Sequence, residues 1–123
     1  MSAERENGHE PRLCDAALTR AFQFLGKRWN GVLLATLVNG PLGFAQLKRA
    51  VAGISDSVLS ERLSELSTAG LVDRTVQEGP PVTVTYALTT SGHALTPALQ
   101  ELTAWAAENL PAERCAEAAK ATA

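Results

Sequence analysis

The side chains with chemical reach are two thiols, two imidazoles, and a run of serines bordered by a few cations. Cys14 and Cys115 stand far apart and fit no CxxC metal or redox spacing. A thiol opening a helix has its thiolate favoured by the helix dipole, which makes Cys14 a candidate for reaction with oxidants. The competing reading is a small buried packing residue. His9 and His93 are isolated and form no metal set. Ser-His-Asp, HExxH, P-loop and GxGxxG patterns are all missing, so neither an enzyme nor a cofactor is expected. The serines lie between Gly53 and Gly70. Ser55, Ser57, Ser60 and Ser64 can donate or accept at either kind of base edge, and Glu61 can accept from cytosine N4. Such readers are low in information, so DNA shape would supply much of any specificity. Lys48, Arg49, Arg62 and Arg74 flank this stretch as candidate phosphate contacts, with Lys27 and Arg28 farther off. Each has an alternative as solvated charge, or as an ion pair with Asp56, Glu61, Glu65 or Asp73.

These residues need elements to hold them. In GISDSVLSERLSELSTAG, Ser55 caps a helix start and Gly70 suits a left-handed C-cap. Leu59, Leu63 and Leu66 recur at spacings of four and three, forming one apolar stripe. Upstream, Leu13 to Leu25 follows helical spacing through Ala17, Leu18, Ala21 and Phe22, and Gly26 ends it. Lys27 to Val38 reads as a second helix, apolar on most sides and so central. Asn39-Gly40-Pro41 stops it, Leu42-Gly43 starts a short strand, and Phe44 to Ala50 forms a two-turn helix. Downstream, Leu71–Gln77 and Val82–Leu88 alternate as a two-stranded hairpin around Glu78-Gly79-Pro80-Pro81. Thr89 or Thr90 then caps a last helix reaching Leu110, with Pro97 inside it as a kink. A short helix, a brief turn and a capped helix make a helix-turn-helix, and the hairpin makes a wing. In this architecture the capped helix enters the major groove by its N-terminal part.

The chain has 123 residues, enough for one domain, and at 46% hydrophobic it can bury a core. Aromatics are 5%, so that core is aliphatic. A net charge of −2 argues against attachment to nucleic acid by bulk charge, though not against a local basic patch. MSAERENGHEPR has no apolar segment of the kind a signal peptide needs, and no apolar run would span a membrane. A cytoplasmic protein with reduced thiols and no membrane association is expected.

The sequence resembles the HxlR family of winged helix-turn-helix regulators, relatives of the MarR group. The match covers roughly residues 14–105. It rests on Cys14, Gly26-Lys27-Arg28-Trp29, Gly40-Pro41, Phe44-Ala45-Gln46-Leu47, Gly53-Ile54-Ser55, Leu59-Ser60-Glu61-Arg62-Leu63, Gly70-Leu71-Val72, Arg74, Pro81, Tyr86, Leu88-Thr89, Gly92 and Trp105. The resemblance implies a bacterial transcription regulator, homodimeric through its first and last helices, on inverted-repeat double-stranded DNA. It also implies that a cysteine at the place of Cys14 senses oxidants in some members. Given that topology, Cys14 of one chain and Cys115 of the other are candidates for an intersubunit disulfide. Family members usually carry basic residues where this chain has Leu42, Gly43 and Thr83, and basic or amide residues where it has Asp56 and Ser57. Each lost cation removes a phosphate contact.

The expected fold is mainly α with a small β-hairpin (α+β), a winged helix-turn-helix dimerising through its terminal helices. Residues 1–12 form a disordered tail, 13–110 the domain, and 111–123 an extension. The expected function is a sequence-specific repressor controlled by cysteine redox state or by a small-molecule effector. Trp29, Trp105 and Phe22 are candidates for an effector pocket or the dimer seam. The alternative is a winged-helix dimer that binds a ligand or protein, with DNA binding reduced.

Overall fold

A computed structural model describes residues 10–113, with side-chain surroundings from Ala16 onward. The elements run α1 (Glu10–Leu25), α2 (Asn30–Thr36), a 3-10 turn (Leu37–Asn39), β1 (Leu42–Gly43), α3 (Phe44–Ala50), α4 (Asp56–Thr68), β2 (Val72–Gln77), β3 (Thr83–Leu88), α5 (Thr90–Ala94) and α6 (Thr96–Asn109). The first helix already includes Glu10 to Arg12, ahead of Leu13, where the apolar periodicity starts.

The core is aliphatic. Leu33 and Leu34 of α2, Leu47 of α3, and Leu59, Leu63 and Leu66 of α4 are buried, and Val72 and Leu88 close it from the sheet. The three α4 leucines are the stripe read from their spacing. Together they anchor the helix from one side and leave its other side free.

Three expectations need correction. The second helix does not start at Lys27. Trp29 adopts a left-handed backbone (φ 84°), which cannot continue an α-helix. The helix starts at Asn30, whose buried side-chain amide donates to the Phe24 carbonyl (2.9 Å) and ties the end of α1 to the start of α2. Its far end tightens to 3-10 geometry at Leu37–Asn39. Next, the hairpin is part of a three-stranded antiparallel sheet in the order β1-β3-β2. Leu42 pairs with Tyr86 and Gly43 with Thr85. Lastly, the final helix is two helices joined at Leu95. Pro97 lies in the first turn of α6, where its missing N–H costs nothing, so it opens a helix rather than kinking one.

The junction between the sheet and α5 is tight. The Thr89 hydroxyl accepts from the Gly92 N–H (3.1 Å) and donates to the Gly70 carbonyl (2.7 Å). A Cβ on Gly92 would sit 2.3 Å from the Leu71 carbonyl oxygen, so only glycine fits. Among the described residues, no helix is long and apolar enough to cross a membrane.

Candidate nucleic-acid interface

The site is built on α4. Ser55 is its N-cap, and its Oγ accepts from the Val58 N–H at 3.2 Å. At the other end the Leu71 N–H donates to the Leu66 carbonyl and the Gly70 N–H to the Ser67 carbonyl, both at 3.0 Å. Gly70 supplies the left-handed residue (φ 81°) that this double closure needs. Both ends are therefore fixed by bonds that the local sequence encodes.

With its leucines inward, α4 turns Ser57, Ser60, Glu61, Ser64 and Thr68 to solvent. The preceding helix α3 is capped by Gln46, whose Oε1 accepts from the Gly43 N–H (2.8 Å). On its outer side Lys48 and Arg49 are exposed. The wing lies on the other flank, with β2 and β3 paired from Val72↔Leu88 to Gln77↔Thr83.

The cations divide into two groups. Lys48 Nζ lies 2.5 Å from Asp56 Oδ1 at the start of α4. Arg62 is largely withdrawn, with its side chain 18% exposed, and it bridges Glu65 (2.9 Å) and Glu61 (3.5 Å). Lys27 reaches across from the α1–α2 turn to Glu65 (3.1 Å). For these residues the ion-pair alternative describes the geometry. Among the described residues, Arg49 and Arg74 have no ion-pair partner. Arg28 lies over the Trp29 ring, 4.6 Å from its centroid.

Glu65 is a hub that residue spacing did not single out. Its pair with Arg62 follows from the i,i+3 spacing on one helix. Its pair with Lys27 joins residues 38 apart in sequence, which no local pattern reveals. The Lys27 hydrogen bond, aided by the Arg62 charge, holds the Glu65 carboxyl below its ordinary range, against an opposing effect of partial burial.

The candidate seam residues do not meet in one place. Trp29 packs against the core, and a Cβ on Gly53 would touch its ring at 3.7 Å. Phe22 on α1 and Trp105 on α6 are each about half exposed, beside Leu18 and Leu102 on the same two helices. A cavity of about 560 Å³ lies between α1 and α4, lined by Arg20, Gln23, Phe24, Lys27, Glu65 and Thr68 among others. Cys14 falls in the second turn of α1, past the first turn where the helix dipole acts on a thiol. Its side chain, and all of Cys115, lie outside the described residues. Among the described residues, no group of three His, Cys, Asp or Glu side chains is placed to hold a metal.

The family described as HxlR-like helix-turn-helix matches residues 24–114. The HTH-type transcriptional regulator YodB of Bacillus subtilis (strain 168) is 44% identical over 86 residues, covering 70% of this chain and 77% of YodB. The solved reduced form of YodB from B. subtilis superposes with a TM-score of 0.71 at 40% identity, covering 77% of this chain and 93% of that one. The redox regulator HypR, in its reduced form, superposes at 0.75 with 26% identity, covering 80% and 98%. YodB is a regulator of transcription rather than an enzyme. Capped helix α4, winged three-stranded sheet and aliphatic core thus sit in a known lineage: the chain belongs to the HxlR-like helix-turn-helix family and is a transcriptional regulator of the helix-turn-helix type.

Proposed function

We propose that this regulator is a repressor that binds an inverted-repeat operator in duplex DNA as a homodimer, with control through cysteine redox state or a small-molecule effector. The observation that carries the reading is the exposed serine face of α4, held rigid at both ends and flanked by a wing. Ser57, Ser60, Glu61 and Ser64 are the base-reading candidates, and Ser55 holds the turn from which they project. Arg49 and Arg74 are the phosphate candidates with no ion partner among the described residues. Lys48 and Arg62 reach phosphate by exchanging their carboxylate partners.

Two arguments support the dimer. Leu18 and Phe22 on α1, and Leu102 and Trp105 on α6, place apolar side chains in water on the two terminal helices, and large exposed apolar patches mark association sites. A dyad also gives a weakly charged reader a second copy of itself, with half-sites about one helical turn apart. The redox arm is supported by the relatives, since HypR is a redox regulator and YodB is solved both in its reduced form and diamide-treated.

A gel shift on the region upstream of the protein's own gene tests this, with reduced and diamide-treated protein. Specific retention at physiological salt, lost on diamide treatment, is the expected result. Salt-sensitive smearing alone would overturn operator binding and favour a winged-helix module that binds a ligand or protein. On a non-reducing gel, diamide should yield a dimer band through Cys14 and Cys115. A persistent monomer removes that pairing.

A further inference from the structure

Between α4 and the root of the wing lies a cleft of about 260 Å³, lined by Ser60, Ser64, Ser67, Thr68, Arg74 and Tyr86 above Leu63. Arg74 and Tyr86 are direct partners across β2 and β3, so their side chains stand side by side on the sheet face turned to α4. We infer that this cleft seats a backbone phosphate of duplex DNA, held by the Arg74 guanidinium and the Tyr86 hydroxyl. The inference rests on the DNA-binding reading above and deepens it.

The first argument is unspent hydrogen-bonding capacity. Among the described residues, neither Arg74 nor Tyr86 makes a side-chain hydrogen bond or ion pair, and the hydroxyls of Ser60, Ser64 and Ser67 make none either. Lys27, Lys48 and Arg62, by contrast, are each paired with carboxylates. One cation and several hydroxyls facing the same hollow, with no carboxylate lining it, form a donor-rich seat for an anion.

The second argument comes from the shape of duplex DNA. Major and minor grooves are separated by one sugar–phosphate strand. A helix in the first and a hairpin over the second must straddle that strand, which then passes along the gap between them. Here the gap is this cleft. The hairpin tip cannot substitute for it, because Gln77 to Thr83 contains no cation and one acid, Glu78. The wing's only basic side chain is at its root. One consequence follows for base readout: Ser60 and Ser64 turn partly to the phosphate, which leaves Ser57 and Glu61 as the groove readers.

The test is fluorescence anisotropy on a fluorescein-labelled random-sequence duplex of about 24 base pairs, over a salt series, since a phosphate contact needs no operator. Arg74→Gln should weaken binding about five- to tenfold and lower the slope of log K against log salt by about 0.9 for each protomer engaged. Tyr86→Phe should weaken binding about fivefold with the slope unchanged, because a neutral donor releases no counterion. Gln77→Ala at the tip should leave both unchanged. If Arg74→Gln melts early, Arg74→Lys, which keeps the charge and the slope, and Tyr86→Phe decide the matter. Wild-type affinity and slope in Arg74→Gln and Tyr86→Phe would overturn the phosphate seat while leaving DNA binding in place. A wild-type protein that binds no duplex even at low salt would overturn both readings.

Discussion

Ser55→Ala removes one hydrogen bond, and its cost can be worked from geometry. The Ser55 hydroxyl accepts from the Val58 N–H at 3.2 Å, and its remaining contact, with the Ser57 hydroxyl at 3.4 Å, is long. Losing a serine N-cap costs about 1 kcal/mol. Unfolding entropy is about 2.1 cal/mol/K per residue, so roughly 100 ordered residues give about 0.2 kcal/mol/K, and the midpoint should fall by about 5 °C. Ser55→Asn replaces the acceptor and should recover all but a few tenths of a kcal/mol. The assay is thermal unfolding by circular dichroism at one fixed protein concentration, because association shifts the midpoint. The pair also separates two roles for Ser55. A pure cap predicts that Asn restores stability and leaves sequence preference alone, whereas a base reader predicts restored stability with altered preference. An Ala variant melting within about 1 °C of wild type would refute the capping argument.

Two further outcomes are expected. Because the folded Glu65 carboxyl titrates below its ordinary value, its contribution to stability is present above the ordinary carboxylate range and is lost as pH falls through the lowered value. Glu65→Gln should therefore be less stable than wild type at neutral pH, the gap closing in acid and narrowing in high salt; urea midpoints that stay parallel from neutral to strongly acidic pH would contradict this. Gly92→Ala forces a Cβ to 2.3 Å from the Leu71 carbonyl, so the backbone must move; we expect a loss of about 1–3 kcal/mol or more, read by urea unfolding, and an unchanged midpoint would show that the junction is slack.

Much of this architecture is encoded locally, and what is local was legible. Ser55, Gly70 and the Leu59–Leu63–Leu66 stripe each act within a few residues, so spacing alone located α4 and its free face. The alternating β-branched segments located the hairpin. What was missed depends on contacts distant in sequence or on one backbone angle. The apolar pattern carries the helical reading back through Trp29, yet the backbone there is left-handed and Asn30 reaches back to Phe24. Leu42-Gly43 was legible as a short strand but its partners were not: Tyr86 and Thr85, more than forty residues on, pair with it and make the sheet three-stranded. For Arg62 the sequence leaves phosphate contact, solvated charge and an ion pair with Glu61 or Glu65 open, and packing selects the ion pairs. Helical spacing shows which side of α4 faces water and allows the Arg62–Glu65 pair, but only the fold brings Lys27 to Glu65.

The two-residue strand β1 has a mechanical consequence. It leads directly into α3, and it is hydrogen-bonded to the strand that returns from the wing tip. Wing and helix-turn-helix are thus hitched like two arms of one bracket. The hairpin cannot swing without dragging α3, and α3 cannot tilt without bending the sheet. Under the proposed control through the terminal helices, the motion such a bracket leaves open is travel as a unit. In the proposed homodimer, control would then act as a caliper, setting the distance between two α4 helices whose own shape does not change.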